Sequence, residues 1–396
     1  MAPLDGFRGI DDLTLSHQRL FIRVDFDVPL DDDGVVLSDR KVRLALPTIQ
    51  KAVKEGARVV LATHLGPADA PPRSIEPVAA KLAELLGQDV FLPDECVGDA
   101  ARKVVADLRE GQVCLLENLR FLPEESQGDE SLARKLLGLC DAYVNDAFGV
   151  SHLSLASTVA LARLVKARAL GYRAKAELEG LGRASSNAYK PFVGVLGGES
   201  LSRSLPVLEV MLRRCEAVCV GGAVANTLLA ARSVDMKESK LEREQLALAR
   251  GLLTRARDAK VELLLPTDVL TSASPFSAEG YACGVGAVPA GSGAHDIGPR
   301  TLEAFRARVQ TAKTVLWHGA LGVVENPAFS RGSAGVMQAL AEAPAFGVVT
   351  GESVAELCAA SGAELEGSIG FVSAGGAASL AFIEGKRLPG IEALRG

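Results

Sequence analysis

Short runs of β-branched and aliphatic residues alternate along this chain with stretches whose apolar positions recur every three or four residues. In the first half the runs fall at residues 20–24, 58–62, 90–92, 112–116 and 142–144; in the second, at 192–196, 217–220, 262–265, 314–317, 347–349 and 369–372. Runs this short and this apolar are what strands become when helices cover both faces of their sheet. Helical spacing is clearest at 75–86, with Pro77 in the first turn where a missing N–H costs nothing, and at 131–139. Regular exchange of the two patterns predicts parallel βαβ units and an α/β fold. Between the two series lies a polar stretch, 173–186, with Leu178 and Leu181 at helical spacing, which reads as a connector. No internal repeat stands out.

Length sharpens this picture. A chain of 396 residues is longer than one hydrophobic core usually grows, and 48% hydrophobic residues can fill two, so two domains are expected. The seven cysteines (Cys96, Cys114, Cys140, Cys215, Cys219, Cys283 and Cys358) form no CxxC pair, no metal-ligand spacing and no dense framework, and read as reduced, mostly buried apolar residues. Asp5, Asp11 and Asp12 interrupt the start of the chain, and nowhere do about eighteen apolar residues run unbroken. A soluble, cytoplasmic protein without membrane contact is expected. A net charge of -6 with both signs interspersed argues against nucleic acid as a partner, because phosphate contacts need a basic face. Local basic sites for a small anion remain open.

Glycines follow several second-half strands: Gly197 and Gly198, Gly221 and Gly222, Gly351, and Gly375 and Gly376. Ligands of open parallel sheets bind beyond the carboxyl ends of the strands, where glycine lets backbone and helix N-termini approach phosphate. One pair could equally serve a tight turn. Recurrence at successive strand ends favours a nucleotide site.

Conserved-looking order then joins the patterns. The first half carries Arg23-Val-Asp25-Phe-Asp27-Val-Pro29, Ala45-Leu-Pro-Thr-Ile49, Thr63-His-Leu-Gly66, Leu116-Glu-Asn-Leu-Arg-Phe121 and Asn145-Asp-Ala-Phe-Gly149. The second carries Leu196-Gly-Gly198, Gly221-Gly-Ala-Val-Ala-Asn226, Asp296-Ile-Gly-Pro299, Gly322-Val-Val-Glu325, Ser373-Ala-Gly-Gly376 and Leu388-Pro-Gly-Ile-Glu-Ala-Leu394. Over essentially its whole length the chain resembles the phosphoglycerate kinase family. The resemblance implies two Rossmann-like domains with parallel sheets joined by a helical hinge. Residues 1–170 would form the acid-substrate domain, completed by 378–396; 171–187 the hinge helix; and 188–377 the nucleotide domain. It also implies 3-phosphoglycerate on the first domain, ATP or ADP with Mg²⁺ on the second, hinge closure to join them, a monomer, and a place in glycolysis.

The family reaction passes a phosphoryl group between ATP and the carboxylate of 3-phosphoglycerate, giving ADP and 1,3-bisphosphoglycerate without a covalent enzyme intermediate. Such transfer relies on positioning and on neutralising negative charge with Arg, Lys, Mg²⁺ and helix N-termini. On the acid side, the resemblance assigns substrate binding to Arg23, Asp25, Asp27, His64, Arg120 and His152. Taken alone, Arg120 could be half of a surface ion pair and His64 a satisfied strand-end histidine; together in matching motifs they favour a retained site. Asp27 replaces the family's asparagine. Lys41, beside Arg40, replaces the arginine essential to transfer, keeping charge without the two-pronged guanidinium. Pro67 and Leu153, the latter following His152, replace two further arginines.

The nucleotide side departs more. Gly197, Gly198, Ser200, Ser204, Gly221, Gly222, Glu325, Gly351, Glu352 and Ser353 stand at nucleotide-binding positions, but Ser200 and Ser204 replace two lysines. One unit charge about 4 Å away is worth on the order of 4 kcal/mol at an effective dielectric near 20, so losing two removes several powers of ten in rate. Arg203 could compensate only through an irregular first turn, because one residue's step around a helix rotates a side chain by roughly 100°. Glu352, where the family has an aspartate, is the candidate Mg²⁺ ligand. Glu325 matches a ribose contact. His318-Gly-Ala320 replaces an Asn-Gly-Pro, and Ala223 and Ala377 replace third glycines.

Three readings follow from the resemblance and its departures. The first is a phosphoglycerate kinase of impaired activity, with Lys41 and Arg203 supplying catalytic charge. The second is an inactive paralogue with a regulatory or ligand-binding role. The third is a kinase for another small carboxylic acid. Because the substitutions concentrate in the site while packing motifs persist, impaired or absent family activity is expected.

Overall fold

The computed structural model of the chain describes residues 4–67, 69–185 and 188–395. The chain separates into two compact units, Met1–Glu179 with Lys386–Gly396, and Gly180–Gly385.

The first unit is built on β1 (Arg19–Arg23), β2 (Arg58–Ala62), β3 (Val90–Phe91), β4 (Val113–Leu115), β5 (Ala142–Asn145) and β6 (Ala167–Leu170). All pairs are parallel, in the order β3-β4-β2-β1-β5-β6. Helices Arg40–Lys54 and Glu76–Leu86 pack Val42, Ile49, Val78 and Leu82 onto the core beside Leu20, Ile22, Val59 and Leu61. The strand order reverses at β1, with β2 on one side and β5 on the other. That reversal opens a crevice beyond the strands' carboxyl ends, and the segments carrying Asp25, His64, Arg120 and His152 follow β1, β2, β4 and β5 respectively.

The second unit runs through β7 (Phe192–Leu196), β8 (Ala217–Val220) and β9 (Glu262–Leu264), then β10 (Asp268–Ser272), β11 (Tyr281–Gly284) and β12 (Gly293–Ile297), and finally β13 (Thr314–His318), β14 (Phe346–Thr350) and β15 (Gly370–Val372). Its parallel sheet has the order β15-β14-β13-β7-β8-β9, again reversing at its first strand, and a separate antiparallel sheet has the order β11-β10-β12. Two Rossmann-like parallel sheets are therefore present as expected. The antiparallel sheet and β6 were not legible as apolar runs: β10 and β12 carry Asp268, Thr271, Ser272, His295 and Asp296, and β11 is largely exposed.

The connector forms a helix, Tyr172–Ser185, and the division between units falls inside it, after Glu179. Residues 186 and 187, the end of the expected hinge, lie outside the described residues. Helix Gly376–Ile383 packs on helix Leu201–Arg214 within the second unit, so the return to the first unit begins at Lys386 instead of 378. There Asn145 Nδ2 donates to Gly390 O at 3.0 Å and Gly390 N to Ser151 O at 2.9 Å.

Two buried contacts fix these frameworks. At the start of helix Tyr172–Ser185, Asp146 Oδ1 accepts the Ala174 N–H at 3.0 Å, and the Thr48 hydroxyl oxygen accepts the Tyr172 N–H at 2.9 Å. Asp146 is buried and its Oδ2 has no hydrogen-bond partner among the described residues. Burial pushes this carboxyl up to about 6, against the pull of Thr48 and Ala174. At the ends of β7, β8 and β13, glycine loops touch backbone to backbone: Gly197 N donates to His318 O at 2.8 Å, Gly198 N to Ala320 O at 2.7 Å, and Gly222 N to Leu321 O at 2.9 Å. Gly222 has φ +62°, and a Cβ there would lie 2.7 Å from Gly198 O.

A carboxyl whose native pKa exceeds its unfolded value binds protons more readily when folded, so its contribution to stability is lost as pH climbs through the native value. For Asp146 the gap between 3.8 and about 6 is worth on the order of 3 kcal/mol. Asp146→Asn is expected to gain that much stability relative to the parent between those pH values, in urea unfolding over a pH series; parallel curves would show that Asp146 does not titrate there. Gly222→Ala should cost about 1–3 kcal/mol through strain at positive φ and the Gly198 clash. The chain's single tryptophan, Trp317, is fully buried in the second unit, so its fluorescence during denaturation reads this loss directly.

Candidate functional site

In the first unit, Asp25 and Lys41 face each other, with Lys41 Nζ 3.5 Å from Asp25 Oδ1. Lys41 stands in the first turn of helix Arg40–Lys54. Burial pushes the Asp25 carboxyl upward, but the Lys41 charge, joined by the Asp27 N–H and the Arg23 charge, outweighs it, and the group lies below the usual carboxylate range. Asp27 goes the other way: burial raises it, against the Gly66 N–H that its Oδ1 accepts at 2.8 Å and against Lys41. Asp27 Oδ2 is 3.8 Å from His64 Nε2. His64 is 6% exposed, and burial, followed by the nearby Arg23 charge, lowers its imidazole to about 3, so it is neutral at physiological pH.

Arg120 is half-buried and its Nε, inaccessible to solvent, has no hydrogen-bond partner among the described residues. A part-exposed arginine beside a crevice suits an anionic ligand. His152 is half-buried and donates from Nδ1 to Gly149 O at 3.0 Å, which leaves Nε2 as an acceptor while the ring is neutral; burial lowers its pKa. Pro67 and Leu153 are exposed and bring no charge. Arg23 is placed differently from the other candidates. It is wholly buried and touches His64, whose Nδ1 lies 3.1 Å from Arg23 Nη2.

Asn118 was not singled out in the sequence, although it lies in one of the motifs. It accepts from Leu65 N at 3.1 Å and Arg120 N at 3.0 Å, and donates to Leu65 O at 3.0 Å and Arg73 O at 2.8 Å. One fully buried amide thus ties the loop after His64 to the turn that presents Arg120. The available signal was an asparagine three residues past the end of an apolar strand.

In the second unit a cavity of about 1160 Å³ is bordered by Gly198, Ser200, Arg203, Ser204, Gly222, Glu325, Gly351, Glu352 and Ser353. Gly197 and Gly221 do not line it. They lie behind, where Cβ atoms would strike Ala320 and Leu321, so their glycine identity serves loop packing. The amides of Gly197, Gly198 and Gly222 likewise donate to backbone carbonyls.

Ser200 caps helix Leu201–Arg214: its Oγ accepts the Arg203 N–H at 3.2 Å and donates to Glu242 Oε1 at 2.9 Å. Glu242 also accepts from Ser202 N at 3.0 Å and Ser202 Oγ at 2.7 Å. This is a regular N-cap, so the irregular turn needed to carry Arg203 onto a serine's position is not formed; Arg203 stands exposed on the cavity rim, and Ser204 is buried. Lys240, another residue not anticipated, also reaches the lining, with Nζ 2.8 Å from Glu199 Oε2. Against Arg203 and Lys240 stand Glu199, Glu238, Asp296, Glu325, Glu352 and Glu356. Burial pushes Asp296 up to about 7 despite the Gly332 and Ile297 N–H groups that it accepts. His318 lies 3.0 Å through Nδ1 from Thr350 Oγ1, and burial lowers it to about 4.

Glu352 opens helix Glu352–Ala360 at the lining and is exposed. Among the described residues no group of three His, Cys, Asp or Glu could hold a metal by itself. A single carboxylate on such a lining is compatible with Mg²⁺, which takes one or two carboxylates and completes its shell with oxygens of a phosphate ligand and water.

Known proteins fit both the sequence and this geometry. A family model described as phosphoglycerate kinase matches residues 10–386. The phosphoglycerate kinase of Anaeromyxobacter dehalogenans is 47% identical over 394 residues, covering 98% of this chain and 99% of that protein, and that of Chlorobium phaeobacteroides is 40% identical over 396 residues, covering 98% and 99%. Among solved structures, phosphoglycerate kinase from Coxiella burnetii superposes with a TM-score of 0.83 at 34% identity, covering 98% of each chain. The chain, from its first sheet to its C-terminal return, belongs to the phosphoglycerate kinase family.

Proposed function

We propose that the protein transfers a phosphoryl group between Mg-ATP and the carboxylate of 3-phosphoglycerate, at a rate well below that of a family member with both lysines. The observation that carries this reading is the pairing of Lys41 with Asp25 in the crevice that Arg120 also borders. On it, the first unit is the acid-substrate domain and the second the nucleotide domain. Arg120 holds the anionic acid, and neutral His64 offers it an N–H. Lys41, steered by Asp25, supplies positive charge at the reacting carboxylate. The adenosine end of ATP enters the second-unit cavity toward Glu325, with Glu352 placed to hold Mg²⁺. When bound, that ion neutralises charge on the phosphates. The protein is read as a cytoplasmic monomer; no helix among the described residues is long and apolar enough to cross a membrane.

The reduced rate rests on the cavity's charge. Neither serine can replace a lysine, since Ser204 is buried and the Ser200 hydroxyl is engaged by Glu242. That engagement also favours a second reading, in which nucleotide binds without turnover. A third, transfer to a less anionic acid, draws on the uncharged Pro67 and Leu153.

The test is a coupled assay of 1,3-bisphosphoglycerate formation at high enzyme concentration, with nucleotide binding measured alongside. The parent should turn over, Lys41→Ala should abolish the rate, and Ser200→Lys with Ser204→Lys should raise kcat on the order of 10²-fold or more. Mg-ATP binding with no rate in either the parent or the lysine variant would replace the first reading with the second; turnover of another carboxylic acid alone would favour the third.

A further inference from the structure

His64 leans on a chain of buried groups that neither the sequence motifs nor the family reaction accounts for. Arg23 is 0% exposed, Glu125 5% and His64 6%. Arg23 Nε donates to Ser157 Oγ at 2.8 Å, Nη1 to Val24 O at 2.5 Å, and Nη2 lies 3.1 Å from His64 Nδ1. Ser157 Oγ in turn donates to Glu125 Oε1 at 2.5 Å, while Ser157 N donates to Glu125 Oε2 at 2.9 Å.

Every proton in this chain has one possible direction. A guanidinium has only hydrogens to give, so Ser157 Oγ must accept from Arg23 and send its own proton to Glu125. Both Glu125 oxygens are thereby acceptors. By the same logic His64 Nδ1 must accept from Arg23 with its lone pair, and the neutral ring then carries its proton on Nε2. Nε2 is the nitrogen 3.8 Å from Asp27 Oδ2.

Local structure is shaped around this chain. Ser157 sits in a π-helical turn, Ala156–Ala160, and such wide turns often mark function. Its carbonyl is held by Tyr143 Oη at 2.9 Å, and Tyr143 is itself fully buried against Phe21. Glu125 comes from the short helix Pro123–Gln127, just past Arg120.

We infer that Glu125 and Ser157 are positioning residues, which act through Arg23 to lock His64 as the Nε2–H tautomer with that proton turned toward Asp27 and the acid site. Its functional meaning rests on the acid-site reading above; the tautomer itself does not. Without Ser157 the Arg23 Nε–H loses its acceptor, the guanidinium shifts toward Glu125, and His64 Nδ1 is no longer held as an acceptor.

The experiment is long-range ¹H–¹⁵N correlation on the full chain labelled with ¹⁵N-histidine, with His64 assigned from His64→Gln. In the parent, His64 should show a protonated Nε2 and an unprotonated Nδ1. In Ser157→Ala, the two nitrogens should move toward averaged shifts, with Glu125→Gln moving them the same way to a smaller extent. Turnover should drop on the order of 10²-fold in Ser157→Ala, as misplacement of a reacting group predicts, with the KM for nucleotide unchanged. An Nδ1–H tautomer in the parent would overturn the inference, even if both variants failed to fold. So would unchanged His64 shifts in folded Ser157→Ala and Glu125→Gln. A parent with the Nε2–H tautomer but no turnover would count against the kinase reading and leave this one standing.

Discussion

A guanidinium ion shut away from water must be surrounded by acceptors, and in the first unit this demand reaches from the sheet to the crevice. Leaving such a charge unpaired costs several kcal/mol, so Arg23, the last residue of β1, draws a serine, a carboxylate, a backbone carbonyl and an imidazole around itself. The carbonyl is that of the next residue, Val24, but the three side chains come from segments far from Arg23 in sequence. Satisfying one buried ion therefore fixes the approach of the Ser157 turn, the Glu125 helix and the loop after β2. Asn118 performs a neutral version of the same service, with its whole side-chain amide committed to backbone.

The second unit handles charge in the opposite manner. At the positions where the resemblance implies lysines, it has the small neutral side chains of Ser200 and Ser204. Ser204 fits beneath the Gly198 loop, its Oγ 3.6 Å from where a Cβ on that glycine would stand. Removing a cation from a buried position spares its desolvation, and sites freed of functional strain commonly gain stability at the expense of activity. What remains is a well-formed cavity whose lining is rich in carboxylates, with a protein carboxylate, Glu242, already resting on the first turn of helix Leu201–Arg214. Anions are favoured at such a terminus, so the protein partly satisfies its own helix dipole there.

Much of this frame could be read in the sequence because parallel strands covered on both faces leave an unbroken apolar signature. β7, buried at every position, is the clearest case. The antiparallel sheet left no such mark, since Asp268 turns inward to accept the Thr301 hydroxyl and the backbone N–H groups of Arg300 and Thr301, and a strand opening on a buried aspartate does not look like one. At the site, motif position grouped Arg23 with Asp25, Lys41 and Arg120, yet Arg23 turns into the core. No periodicity says whether an arginine at a strand end points to water or inward. Glu125 and Ser157 were invisible for a related reason. Their pairing joins segments 32 residues apart, and although Ser157 stands in an apolar run, nothing in that run says that its hydroxyl meets a buried carboxylate.

The chain's end also imposes an order of assembly. The loop bearing His152 receives hydrogen bonds from and to Gly390, and Arg168 donates to the carbonyl of Arg395. The first unit thus contains both the earliest and the latest parts of the chain, whereas the second is a single continuous stretch. During synthesis the second unit has all its residues in hand before the first does. The His152 loop can take up its contacts with Gly390 only after the whole of the second unit has been made.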